Sequence, residues 1–162
     1  MRSVTYLILC SLLCLGMTNC KKKKNDTNNN TTAPVVCNLA PSTVSVNDTV
    51  RQVVKDSSFA TANNTYNTQH IVNAQEGVSM DFEDIVAPVP GDYTITTVFL
   101  DVKPGSKLVY LQYFHDGQPY LAQSGKVTVK QDGGVLSFEF CKIYCKNTFG
   151  LGFTVSAKST IQ

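Results

Sequence analysis

The chain predicts an all-β fold, an antiparallel β-sandwich of about seven to nine strands, and three observations carry that prediction. Between Cys37 and Gln162 apolar residues recur mainly with period two, not with the 3.6 spacing of an amphipathic helix. Turn-forming runs separate them, among them Pro104-Gly105, Asp116-Gly117 and Gly133-Gly134. Roughly 125 residues suffice for one domain, and half-apolar strands can hide their apolar faces only between sheets.

The elements follow in chain order. Val44 and Val46 alternate with polar residues as an opening strand. Val50, Val53 and Val54 follow Asp48 at helical spacing, but β-branched residues are poor helix formers, so a short helix and an irregular strand both fit. The Asn/Thr-rich run 57–67 reads as a surface loop. Val78, Met80 and Phe82 alternate with Ser79, Asp81 and Glu83, which predicts a half-buried strand with its two acids toward solvent. Pro88 and Pro90 interrupt regular pairing before Gly91. Tyr93 and Ile95 then share one face while Val98, Leu100 and Val102 share the other, a phase change that predicts a bulge near Thr96 or Thr97.

After the Lys103–Ser106 turn, 108–114 is apolar on both faces except at Gln112, as a central strand would be. Asp116-Gly117 predicts a tight hairpin into 119–122. Val127 and Val129 point inward from the next strand, and Gly133-Gly134 turns the chain into Leu136, Phe138 and Phe140. The last strand is expected to line Phe149, Leu151, Phe153 and Val155 on one side. Gly150 and Gly152 thin its other side, against a neighbouring segment or a ligand.

The first 36 residues have a different composition. Arg2, the apolar run 4–17 and Cys20 followed by Lys21–Lys24 resemble a bacterial lipoprotein signal. By that resemblance residues 1–19 are removed, Cys20 is acylated, and membrane lipid is the partner of the anchor. An ordinary cleaved secretion signal and an uncleaved anchor are the competing readings. The apolar run is shorter than the ~20 residues of a membrane-spanning helix. Cys20 to residue 36 would form a tether, with four lysines at headgroup height and an Asn/Thr-rich stretch too polar to fold. The domain would span 37–162.

Export makes disulfides admissible. Cys37, Cys141 and Cys145 remain after Cys20, an odd number. Cys141 and Cys145 would stand roughly 13 Å apart in a regular strand, beyond the ~7 Å limit for a bridge. Cys37 could pair with either, a broken strand could join the other two, or all three could stay reduced. Cys-x3-Cys with one distant cysteine is a weak zinc pattern.

No pattern calls for a cofactor or a metal. The lysines of the tether account for the net charge of +2. The domain is mildly acidic, with Arg51 its one arginine, so nucleic acid is not an expected partner. His70 and His115 have no nucleophile at a diagnostic spacing, and Asp81, Glu83 and Asp84 read as solvated acids. Asp48-Thr49-Val50 resembles a short O-glycosylation site of Bacteroidota-type cells. Tyr66, Tyr110, Tyr113 and Tyr120 are candidates for an aromatic contact surface, or else pack in the sheets with their hydroxyls at the edge.

The Gly91-Asp92-Tyr93-Thr94-Ile95 step, the run from Tyr120 through Ser124-Gly125 to Val129, and the strand from Gly133 to Phe140 resemble those of small Bacteroidota-type lipoproteins of unknown function with a β-sandwich domain. The resemblance covers about half the chain, and its motifs are structural. It implies a non-catalytic envelope lipoprotein, outer membrane favoured, that binds or supports an unspecified envelope protein or ligand. A carbohydrate-binding accessory of a glycan-uptake system is the alternative. A hydrolase would need a pocket joining His70 or His115 to carboxylates.

Overall fold

A computed structural model describes residues 37–161. The expectations for the signal, Cys20, the lysine run and the tether lie outside the described residues.

Eleven strands form the domain: β1 Thr43–Val46, β2 Thr49–Gln52, β3 Lys55–Ala60, β4 Tyr66–Asn73, β5 Glu76–Phe82, β6 Gly91–Ile95, β7 Leu108–His115, β8 Gln118–Ala122, β9 Lys126–Asp132, β10 Val135–Lys146 and β11 Gly152–Ile161. They make one sheet in the order β2-β1-β11-β10-β9-β6-β7-β5-β4-β3, with β8 pairing both β10 and β7. All pairs are antiparallel except β6 with β7. The fold is all-β and sandwich-like because this sheet doubles over. Phe82 of β5 meets Phe138 of β10 at 5.5 Å between ring centroids, and Tyr113 of β7 meets Phe153 of β11 at 5.3 Å, although neither pair of strands is adjacent. Between the layers lie Val44, Val78, Met80, Leu111, Val127 and Ala157, all nearly without exposure.

Three hairpins turn through two residues with positive φ: Asn47-Asp48, Asp116-Gly117 and Gly133-Gly134. That left-handed pair matches the twist of the flanking strands. Asp48 is therefore a turn residue, and of the two readings of the segment after it the strand holds, as Thr49–Gln52.

In β10 the register with β11 shifts between Phe140 and Ile143, where Lys142 takes a φ of 49° and its N–H donates to Ser156 Oγ at 2.8 Å. One extra residue moves the buried set from Leu136, Phe138 and Phe140 to Ile143 and Cys145. Two odd-numbered cysteines consequently end on opposite sides. Cys141 joins Cys37 in a disulfide, Cα–Cα 5.5 Å, while Cys145 stays a buried thiol. A loop that long is worth up to about 4–5 kcal/mol in the chain-entropy account.

Several expected elements differ. The run expected as a loop from 57 is mostly β3 and the start of β4; only Thr61–Thr65 turns. β5 is buried on both faces instead of one. The phase change after Ile95 is no bulge: β6 ends there, a 3₁₀ turn spans Phe99–Asp101, and Val98 and Leu100 are exposed. Phe149 and Leu151 are not in the last strand; they lie exposed in the β10–β11 turn, held by Asn147 Oδ1, which accepts from both their N–H groups at 3.0 Å. The strand count exceeds seven to nine because β3 and β4 lie in polar sequence that alternation does not flag, while β2 settles as a strand the segment that fitted a helix equally well. Gly152 sits where a Cβ would meet the Tyr144 ring and the Cys145 carbonyl within 2.7 Å, so close packing explains it. Gly150 is a turn residue. No helix among the described residues is long and apolar enough to cross a membrane.

Candidate functional site

The four tyrosines do not form a contact surface. Tyr113 is fully buried and Tyr120 nearly so, both packed on Phe153. Tyr66 is half-buried and donates to Ser58 Oγ at 2.7 Å; Tyr110 is half-buried with its ring edge-on to Phe99. Aromatic area is better hidden than wetted, and these positions fall between strands. Burial pushes the Tyr110 hydroxyl's pKa up, helped by the Asp81 charge.

Asp81 and Glu83 are also not solvated, while Asp84 is half-buried. Asp81 lies on the outer face of β5 but under Thr65 and Asn67, accepting from Thr65 Oγ1 at 3.1 Å and Asn67 Nδ2 at 2.9 Å. Glu83 accepts from the Lys107 N–H and from Ser106 Oγ, which ties the β6–β7 loop to the end of β5. Asp84 Oδ1 accepts from the N–H of Ile85. Among the described residues no three His, Cys, Asp or Glu side chains converge as a metal site.

Two polar clusters cross the interior, and neither has a sequence motif. In the first, His70 Nδ1 contacts Asp56 Oδ1 at 2.5 Å and Nε2 contacts Ser159 Oγ at 3.2 Å. These residues come from β4, β3 and β11. Carboxylate, imidazole and hydroxyl in series form the relay of a serine nucleophile, and the convergence a hydrolase needs exists around His70. Access does not: His70 and Ser159 have no exposed surface, the Phe138 ring covers the imidazole at 5.9 Å, and only Asp56 reaches water. In this conformation the cluster clamps the two layers.

In the second cluster Arg51 Nη1 bonds Glu76 Oε1, Tyr113 donates to the same oxygen at 2.6 Å, and Asn73 Nδ2 donates to Oε2 at 3.2 Å. Burial alone would raise the Glu76 carboxyl's pKa, but the Tyr113 and Arg51 hydrogen bonds and the Arg51 charge outweigh it and hold it below the usual range. Arg51 is raised in turn, chiefly by its bond to Glu76. Tyr113 is pushed up by burial first and by its bond to Glu76 second. His115 lies against Tyr113 and Phe153, with Nδ1 3.4 Å from the Tyr113 hydroxyl. It contacts no substrate-sized cavity among those described.

Outside the sandwich, the face of β4, β5 and β7 carries a cleft of about 320 Å³. Register sets its composition. Gln69, Ser79 and Gln112 stand in one row across the three strands, and Ile71, Gly77 and Phe114 in the next. No side chain fills the floor at Gly77, where a Cβ would meet the His70 carbonyl at 2.8 Å. The β4–β5 and β7–β8 turns close one end, with Gly117 N–H donating to the Gln75 carbonyl at 3.1 Å. The sequence reading singled out Ser79 and Gln112 but not Gln69, Ile71 or Gly77, which join them through register, a tertiary property.

No protein-family model, curated protein or solved structure matches this chain.

Proposed function

We propose that the protein is a non-catalytic, lipid-anchored envelope protein, of the kind its sequence resembles, whose β-sandwich serves as a binding or structural module outside the cytosol. The observation that carries this reading is the Cys37–Cys141 bridge directly after a signal-like N-terminus. Disulfides persist in oxidising compartments, so export is supported by chemistry independent of the apolar run. The bridge also fastens the start of the domain to β10. A pull transmitted through an anchored chain would then load a covalent link rather than the hydrogen bonds of β1 to β2 and β11.

The test is Cys20→Ala expressed in an envelope-containing bacterial host, followed by membrane fractionation and mass spectrometry of the mature N-terminus. Wild type should stay with the membrane carrying acyl chains on residue 20, and the variant should not. Equal retention of both, or an unmodified Cys20 in the intact precursor, overturns the anchor.

A further inference from the structure

We infer that the cleft on the outer face of β4, β5 and β7 binds an uncharged carbohydrate ring. This deepens the binding-module reading but rests on different residues from the anchor.

The walls exclude charge. The one ionisable side chain lining the cleft is Glu76, and its two oxygens are already taken by Arg51, Tyr113 and Asn73. Among the described residues no lysine or arginine lines it, so an anionic ligand would find no counter-charge there, and a cation would find no free carboxylate.

What the cleft offers is neutral and polar, beside apolar surface. The Gln69 carboxamide has no hydrogen-bond partner among the described residues. Ser79 Oγ accepts from Asn67 Nδ2 at 2.9 Å and keeps its own proton to give. Covering the Gln69 and Ser79 groups without matching them costs about 1–3 kcal/mol each, so a purely apolar ligand would bind against that penalty. Phe114 and Ile71 supply the hydrophobic side. Alternating hydroxyls and C–H faces are the complement of this arrangement, and a pyranose has both. The volume lies at the low end of the range for small-molecule sites, about 300–1,000 Å³, which suits one or two rings.

The experiment is saturation-transfer NMR on the full chain with glucose, galactose, mannose and N-acetylglucosamine, and with glucuronate as the charged control. At least one neutral sugar should show saturable transfer and glucuronate should be weaker. Gln69→Ala should weaken that sugar about tenfold, the scale of one lost hydrogen bond, with unfolding by urea unchanged. Phe114→Ala should abolish transfer, and its circular dichroism checks that the sheet persists. Cys20→Ala should bind the same sugar equally well, so loss of the anchor and loss of the sugar site are separate results. No saturable transfer from any neutral sugar, or binding that Gln69→Ala leaves intact, overturns the assignment.

Discussion

The two clusters that cross the sandwich are alike at their outer ends and different at their inner ends. Each begins with a charged group in partial contact with water, Asp56 at 20% and Arg51 at 34% side-chain exposure. From Asp56 the series runs inward through His70 to a serine hydroxyl, so its deepest member carries no charge. From Arg51 it runs to a carboxylate only 5% exposed, and a tyrosine hydroxyl lies beyond. The first cluster should therefore depend on filled volume, and the second on charge compensation.

Removing the centre of the first cluster is expected to have the largest effect. His70→Ala deletes a fully buried ring and strands the Ser159 hydroxyl, for a loss of about 3–4 kcal/mol in urea unfolding, as for other buried rings. A loss under about 1 kcal/mol would mean the layers are not clamped there.

Arg51→Ala should cost somewhat less at pH 7, about 2–3 kcal/mol. Breaking a buried pair usually costs more, but Arg51 is partly solvated and less is lost with it. Its pH dependence is the sharper test. In the wild type the Glu76 carboxyl is depressed below its ordinary value near 4.5, so its contribution is present above that pH and fades as pH falls through the folded value. Without Arg51 the Tyr113 hydrogen bond still opposes desolvation, but the depression of the Glu76 carboxyl shrinks. The variant should then lose less stability than the wild type as pH falls through that range. Parallel curves would refute charge compensation as the role of Arg51.

The smallest change in stability belongs to Ser159→Ala, about 1 kcal/mol for one internal hydrogen bond. Cys145 reports on the other cluster, because it pairs in register with Phe153, which packs on Tyr113. Burial pushes its thiol up to about 12, so native alkylation at pH 8 should be slow. Arg51→Ala should accelerate it and Ser159→Ala should not. Equal acceleration would show the two clusters to be one cooperative unit.

The limits of the sequence reading show in particular residues. Val127 and Val129, the Asp116-Gly117 turn and the Leu136-Phe138-Phe140 row were legible because alternation and left-handed turn residues are local. Asp81 was misplaced because alternation separates two faces without saying what covers each; Thr65 and Asn67 cover this one. Phe149 and Leu151 continued the alternation of β11, yet Asn147 captures their backbone in a turn. Ser159 shares the buried parity of Val155 and Ala157, a visible signal, but nothing local tied it to a histidine 89 residues away.

By itself the sequence determined the class of this protein: an all-strand domain, its tight hairpins and its apolar rows, since these follow from side-chain period and backbone φ. Tertiary structure decided which faces meet. Doubling one sheet over brings β4 to β11 and β2 to β5, and a single extra residue in β10 sends Cys141 to Cys37 while Cys145 goes inside. Both outcomes depend on register and closure between distant strands, which no local pattern encodes.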